Sequence, residues 1–430
     1  MITVTKSSPV VVVPSTSPAT RTTVEQIKLS PFDKPLAFFP FTSFLIFNNA
    51  IHEPAETIKN ALSRALIPYF PIAGRAAIDA GDGELRISCT GEGVSFVSAS
   101  ANCSLDDVKL FHPPFSELLG ELAVDYPDAT CRRPSDPLLL MQVTEFSGGG
   151  FVVGTTWDHG IADGTGMAQF LQAVGDLARG LPQPTIFPVS CGDDGWLPEL
   201  PPSVTAVEKA MVALEPQGFV YQDITVPWKV VNRVKAEFAA GGHGDGKPCT
   251  VFEAVIAVLW RCRARVVVPD ADAPAPLVFA VNARRHVGAK DGYFGNCVTS
   301  AVSVPRSGDV ANGSIGDVVR LIRRAKEGIP GRFVGGTTVA GEEGSATEKP
   351  QLDVLFGYNA FFVSSWRNLG FDVADFGGGR PARVMCPVAL TSVPNCVACL
   401  PCAANDGASV LARCVTEEHA DALLRELEMF

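Results

Sequence analysis

The chain of 430 residues has no apolar run long enough for a secretory signal or a membrane span. The short run over residues 10–13 is bracketed by Pro9 and Pro14. A soluble, cytoplasmic protein is expected. Basic charge is also short, with 35 Lys and Arg against 46 Asp and Glu and a net charge of −11. That argues against nucleic-acid binding, which needs a basic face. It leaves room for an anionic ligand, provided its cations are placed locally. Histidine is scarce: the six, at 52, 112, 159, 243, 286 and 419, are too scattered for a metal site, so no metal is expected. The twelve cysteines form no regular framework and read as reduced thiols. Cys396, Cys399 and Cys402 have the spacing of part of an iron–sulfur ligand set, but the next cysteine, Cys414, is misplaced for a fourth ligand. Buried thiols in apolar strands are the expectation. No G-x-S-x-G elbow presents a nucleophilic serine, and no sequence repeat is present.

What is present is an ordinary globular balance, 47% hydrophobic and 19% charged, over a length that suits two domains. A first strand is expected over 2–13. Pro54 opens a helix with Ile58, Ala61, Leu62 and Ala65 on one face, and Pro68 and Pro71 stop it. Residues 138–146 and 151–157 read as a hairpin around Ser147-Gly148-Gly149-Gly150. The Pro- and Gly-rich stretch from 181 onward, without period, reads as a crossover between domains. The boundaries expected are 1–180, a linker over 181–220, and 221–430, with a segment near 383–400 packing back into the first domain. In the second half, 251–263 reads as a buried helix with Thr250 and Glu253 in capping-box position. Strands are expected over 277–281, 298–304 and 410–415, a mobile loop over 331–349, and a final helix after Thr416.

The most informative stretch is Phe151-Val152-Val153-Gly154-Thr155-Thr156-Trp157-Asp158-His159-Gly160-Ile161-Ala162-Asp163-Gly164. An apolar, β-branched run delivers His159 to a tight turn. A helix follows, with Met167, Phe170, Leu171 and Val174 on one face and Gly180 as its stop. A histidine on a rigid strand–turn–helix mount suits a general base, because reach and orientation decide proton transfer. Asp163 reads as the residue that fixes the turn and orients His159.

The segment His159-Gly160-Ile161-Ala162-Asp163-Gly164 resembles the H-x-x-x-D-G motif of the plant BAHD acyl-CoA-dependent acyltransferases, within the chloramphenicol-acetyltransferase-like superfamily. Other landmarks follow in family order. Pro68-Tyr69-Phe70-Pro71-Ile72-Ala73-Gly74-Arg75 resembles the Y-x-P-x-A-G-R stretch. Val281-Asn282-Ala283-Arg284 and Tyr293-Phe294-Gly295-Asn296 resemble D-x-R and Y-F-G-N, with Asn282 in place of the Asp. Ser364-Ser365-Trp366 and Asp375-Phe376-Gly377-Gly378-Gly379-Arg380-Pro381 resemble S-x-W and D-F-G-W-G-x-P. The resemblance implies an α/β fold of two similar domains with mixed sheets and an interdomain solvent channel.

It also implies a reaction in which an alcohol or amine attacks the thioester of an acyl-CoA, with His159 as general base and no covalent acyl-enzyme. Acyl-CoA is then a co-substrate, the acceptor a small amine or alcohol, and no bound cofactor is needed. By resemblance Asp163 points away from the pocket and pairs with Arg284, whose bland alternative is a solvated strand-end cation. Lys247, Thr250, Ser364, Ser365 and Arg380 sit where the family contacts CoA, although Lys247 and Arg380 read equally as solvated charges. Asp375, Gly377, Gly378 and Gly379 form the altered D-F-G-W-G turn. Gly378 replaces a Trp thought to help hold the tetrahedral intermediate, which leaves an indole-sized space; backbone N–H groups serve instead, or the oxyanion hole is built elsewhere. Phe39, Trp157 and Asn368 are candidate lining residues of the acyl or acceptor pocket. Asn368 stands where the shikimate- and quinate-specific members carry Arg, so an acidic acceptor is discounted. The reading is a monomeric plant acyltransferase with an aromatic acyl group, benzoyl or hydroxycinnamoyl. Acetyl transfer to a bulky alcohol is the alternative.

Overall fold

The computed structural model describes residues 2–15, 25–79, 81–127, 133–190, 196–200, 204–205, 217–242, 246–333, 354–387, 391–403 and 405–430. Most of the loop expected over 331–349 lies outside them. In chain order the strands are β1 (Val4–Lys6), β2 (Val10–Val12), β3 (Gln26–Lys28), β4 (Pro40–Phe47), β5 (Arg75–Ile78), β6 (Leu85–Ser88), β7 (Val94–Ala101) and β8 (Leu139–Phe146). They continue as β9 (Phe151–Asp158), β10 (Gln222–Pro227), β11 (Leu277–Asn282), β12 (Val298–Ser303), β13 (Phe361–Ser365), β14 (Arg383–Met385), β15 (Asn395–Leu400) and β16 (Gly407–Arg413). The main helices are α1 (Pro54–Ala65), α2 (Gly164–Ala178), α3 (Trp228–Ala240), α4 (Val251–Val267), α5 (Ser307–Asn312), α6 (Ile315–Glu327) and α7 (Glu417–Met429). Among the described residues no helix is long and apolar enough to cross a membrane.

The chain divides into two compact units. The first comprises Met1–Glu199, Gly288–Cys297 and Asn368–Pro387; the second comprises Leu200–Val287, Val298–Arg367 and Val388–Phe430. The first unit holds a mixed sheet in the order β1-β7-β8-β9-β4-β14, with β2 also on β7, and a small sheet β3-β6-β5. Strand β9 is buried at all eight positions, between β8 and β4. A strand covered on both faces reads as a continuous apolar run, and that is how residues 151–157 read in the sequence. The single strand expected over 2–13 is two strands, since Pro9 has no N–H to continue the ladder on β7. Two segments of the second half belong to the first unit, 288–297 and 368–387, so the segment expected near 383–400 joins it only through residues 383–387. Only β14 of the expected segment pairs there, on β4, whereas β15 runs through the middle of the other sheet.

The second unit has a mixed sheet in the order β10-β16-β15-β13-β11-β12. Helix α4 packs under it as the centre of an apolar core that includes Val255, Leu259, Trp260 and Cys262. Its N-terminus carries the expected capping box: Thr250 Oγ1 accepts the Glu253 N–H at 3.2 Å and Glu253 Oε2 accepts the Thr250 N–H at 2.9 Å. Glu253 is buried and also meets Arg323 and Lys326 of α6, each at 3.1 Å. Burial pushes its pKa up, but the Thr250 N–H and the two cations outweigh this and hold it below the usual carboxylate range. A depressed carboxylate stabilises the fold above its usual value and loses that contribution as pH falls through the folded value. Glu253→Gln is therefore expected to cost about 2 kcal/mol at neutral pH, by removing the negative charge that Arg323 and Lys326 share. Thermal unfolding of both proteins checks this, and the gap between them should close below the usual glutamate value of 4.5.

The C-x-x-C-x-x-C run starts on β15. Cys396 and Cys399 are buried among apolar side chains, and burial pushes the Cys399 thiol up to about 11 and Cys396 well above the usual range. Such thiols are poor nucleophiles at neutral pH.

Candidate active site

His159 is the residue after β9, and its ring is part-exposed. Four residues place it. Its backbone N–H donates to the Phe39 carbonyl at 2.8 Å. Its ring stands edge-on to Phe41, with centroids 5.6 Å apart, and lies 6.4 Å from the Trp157 ring. Its Nδ1 is 3.0 Å from Asn296 Oδ1.

The turn around it is braced on both sides. The buried Asp158 carboxylate accepts the Gly160 N–H at 2.7 Å and the Phe38 N–H at 3.1 Å. Phe38 sits in the left-handed region at φ 67°, a strained conformation for a bulky residue that this contact holds. Asp163 is the N-cap of α2: its Oδ1 accepts the Gly166 N–H at 3.0 Å, satisfying a donor that a helix start leaves unpaired. Its Oδ2 accepts the Cys297 N–H, also at 3.0 Å. One carboxylate thus ties the helix start to the segment that follows Tyr293-Phe294-Gly295-Asn296.

That segment comes from the distant end of the chain yet belongs to the first unit. Tyr69, from the Y-x-P-x-A-G-R stretch, packs its ring against Phe170 and Phe294 at 5.1 and 5.4 Å, and Gln169 donates to its hydroxyl. Burial pushes the Tyr69 phenol up to about 12, so it stays neutral as a packing group. Trp157 is fully buried and gives its indole N–H to the Ala162 carbonyl at 2.9 Å. It lies beneath the turn as support. Phe39 is 43% exposed next to His159, while Phe32, Phe44 and Phe47 are core.

The remaining candidates are carried by other segments. Asp375 Oδ1 accepts the Gly377 and Gly379 N–H groups at 2.8 and 2.9 Å, and its carboxylate is 3.8 Å from Arg179. Both glycines have left-handed φ, 118° and 95°, so the turn needs them. Gly378 differs from expectation. A Cβ there would lie 3.1 Å from both the Asn49 carbonyl and Ile51 Cγ2, and Asn49 Nδ2 donates to the Gly378 carbonyl at 2.7 Å. The position is closed over by residues 49–51, so no indole-sized space stands open. Arg380 and Asn368 are exposed, the latter at φ 65°. Lys247, Thr250, Ser364, Ser365 and Arg284 belong to the second unit. The Lys247 carbonyl accepts from Arg323, the Thr250 hydroxyl caps α4, and the Arg284 N–H donates to Asn282 Oδ1 at 3.0 Å.

Two residues of the hydrogen-bond network that reaches His159 carry no role in the sequence analysis. Asn296 lay inside a quoted motif without a role, and Asp33 carried no signal at all. Asn296 Nδ2 donates to the His159 carbonyl at 2.7 Å and to Asp33 Oδ1 at 2.8 Å. A carbonyl and a carboxylate both accept, so the amide nitrogen must face them and its oxygen must face Nδ1. In a neutral ring this arrangement favours the proton on Nδ1, with the lone pair on Nε2.

The chain matches the model of the Transferase family over residues 1–429. It is 44% identical over 441 residues to Acyl transferase 15 of Oryza sativa subsp. japonica, covering 99% of this chain and 98% of that one. It is 31% identical over 453 residues to the myricetin 3-O-glucosyl 1,2-rhamnoside 6'-O-caffeoyltransferase AT1 of Crocosmia x crocosmiiflora, covering 100% and 99%. Among solved structures it shares its fold with vinorine synthase, at TM-score 0.75, 19% identity and coverage of 99% and 98%. With its motifs, its two mixed-sheet units and these relatives, the chain belongs to the BAHD branch of the Transferase family, the acyl-CoA-dependent acyltransferases.

Proposed function

We propose that this enzyme moves an aromatic acyl group, hydroxycinnamoyl before benzoyl, from acyl-CoA to the hydroxyl or amine of a plant specialised metabolite. His159 is its general base. The observation that carries the reading is the His159 ring held at Nδ1 by Asn296, whose amide nitrogen is engaged by the His159 carbonyl and the Asp33 carboxylate. Nε2 takes the proton from the acceptor as its oxygen or nitrogen attacks the thioester carbonyl. The tetrahedral intermediate collapses, the carbon–sulfur bond breaks, and the departing CoA sulfur recovers the proton from Nε2. Atoms balance without an acyl-enzyme. General-base help of this kind is worth about 10²- to 10⁴-fold in rate.

The caffeoyltransferase relative supports a hydroxycinnamoyl donor and a hydroxyl acceptor. From the family resemblance, Lys247 and Arg380 supply cations for the CoA phosphates, with Thr250, Ser364 and Ser365 as polar contacts. The ten described cysteines are free thiols, in keeping with a monomeric enzyme of the cytoplasm. The test is free-thiol release from acetyl-, malonyl-, benzoyl- and coumaroyl-CoA with pooled plant alcohols and amines, read by product mass spectrometry. Turnover of coumaroyl-CoA supports the reading; turnover of acetyl-CoA alone would replace the donor class.

Asn296→Ala should lower kcat between about 10-fold and 10⁴-fold, the range seen when a histidine's orienting partner is lost. The KM for acyl-CoA should stay nearly unchanged, because Asn296 meets the protein and not the donor. Steady-state kinetics at saturating acceptor check it.

A further inference from the structure

We infer that Asp33, a buried carboxylate outside every motif described above, is a positioning residue that selects the proton-bearing nitrogen of His159 through the amide of Asn296. The inference rests on His159 being the base. Asp33 follows β3, and its side chain is buried with Ser30 and Asn296 as its partners. Oδ1 accepts from Asn296 twice, from the backbone N–H and from Nδ2, both at 2.8 Å. Oδ2 accepts the Ser30 N–H at 3.0 Å and the Ser30 hydroxyl at 2.5 Å. Every neighbour of the carboxylate is thus a donor. This ring of donors suits an ionised group that can only accept.

That one-sidedness gives the relay its direction. The side-chain amide of Asn296 could turn end over end, offering nitrogen to His159 Nδ1 and oxygen to Asp33. An ionised Asp33 adds to the His159 carbonyl in opposing the turn, because the amide oxygen would then face acceptor oxygens in a buried site. With the amide fixed, Nδ1 must donate and Nε2 must be the base. Burial pushes the Asp33 carboxyl above its usual value and the hydrogen bonds from Ser30 and Asn296 offset only part of that, so it is the four donor contacts on its two oxygens that argue for the ionised form. Charged groups on the surrounding elements are engaged locally: Lys28 and Lys34 meet Glu84, Asp158 accepts from Phe38 and Gly160, and Asp163 accepts from Gly166 and Cys297.

Asp33→Asn keeps shape but replaces one acceptor oxygen by an NH₂ group. Whichever way that new amide sits, its NH₂ group faces a backbone N–H, that of Ser30 on one side or that of Asn296 on the other. The expected result is a folded enzyme with kcat down at least about 10-fold and the KM for acyl-CoA within about 2-fold of wild type. In an Asn296→Ala background the same change should lower kcat by less than about 2-fold, since the path runs through Asn296. Nitrogen NMR of ¹⁵N-histidine-labelled protein gives the signature that a merely structural role would not move. Wild type should show His159 protonated at Nδ1, and Asp33→Asn a mixture of the two tautomers.

Equal losses in both backgrounds, an unchanged kcat in folded Asp33→Asn, or an Nε2-protonated His159 in the wild type would each overturn the inference. The wild-type spectrum decides even where the variant fails to fold. His159→Ala separates the two levels. Activity surviving that change sinks the base itself, whereas its loss beside an unaffected Asp33→Asn sinks only the role of Asp33.

Discussion

His159→Ala should lower kcat by about 10²- to 10⁴-fold while leaving the fold and the affinity for acyl-CoA in place. The size follows from the role. No other group described around the ring can take the acceptor proton: Asn296 has its amide N–H groups on a carbonyl and a carboxylate, and Asp158 has its oxygens on backbone donors. The fold should survive because the backbone of residue 159 keeps its bonds to Phe39 and Asn296 and the turn is braced by Asp158 and Asp163. The change does strip one hydrogen bond from Asn296 Oδ1, so a stability loss of about 1 kcal/mol is expected. Steady-state kinetics and thermal unfolding on the same preparation read both effects. An equal collapse of folding and activity would mean that the ring is structural.

Gly166→Ala is expected to be as damaging to the fold as His159→Ala is to the chemistry. Gly166 is in the first turn of α2, where its backbone passes directly under the segment that carries Asn296. An added Cβ would lie 1.7 Å from the Phe294 carbonyl oxygen and 2.6 Å from its carbon. Neither side can retreat cheaply. The Gly166 N–H is tied to Asp163, the Phe294 N–H to the Val189 carbonyl and the Asn296 N–H to Asp33. Overpacking against backbone held on both sides should cost at least about 3 kcal/mol, above the usual range for an added methyl. Activity should fall with stability, since the displaced segment orients His159. Gly120→Ala is the control, because a Cβ there meets nothing within 4 Å. Unfolding midpoints of the three proteins check the prediction, and a Gly166→Ala midpoint close to wild type would refute the packing argument.

Local signals in the chain carried the strand–turn–helix around His159, because they are short-range. The buried run of β9, the Asp163 cap and the 3.6-residue stripe of α2 all lie within 30 residues. The capping box of α4 was legible for the same reason. What could not be read is what arrives from far away. Asn296 is 137 residues from His159, and Asp33 is 263 residues from Asn296. Nothing in the polar character of either separates it from the many surface Asn and Asp of the chain. The Tyr293-Phe294-Gly295-Asn296 resemblance marked the place without the role. Gly378 shows the opposite error: a missing side chain was read as free space, but Asn49 and Ile51 close over it. Whether a glycine opens a cavity depends on its neighbours, and those are not in its own motif.

Direct transfer under His159 is the centre of the account, and it can be tested without knowing the acceptor. Enzyme in stoichiometric excess over coumaroyl-CoA is mixed rapidly, thiol release is followed in time, and the intact mass of the protein is measured. The account predicts no burst of thiol and no added acyl mass until an alcohol or amine is supplied. A stoichiometric burst, with the protein heavier by one coumaroyl group, would contradict it and require a nucleophile on the chain.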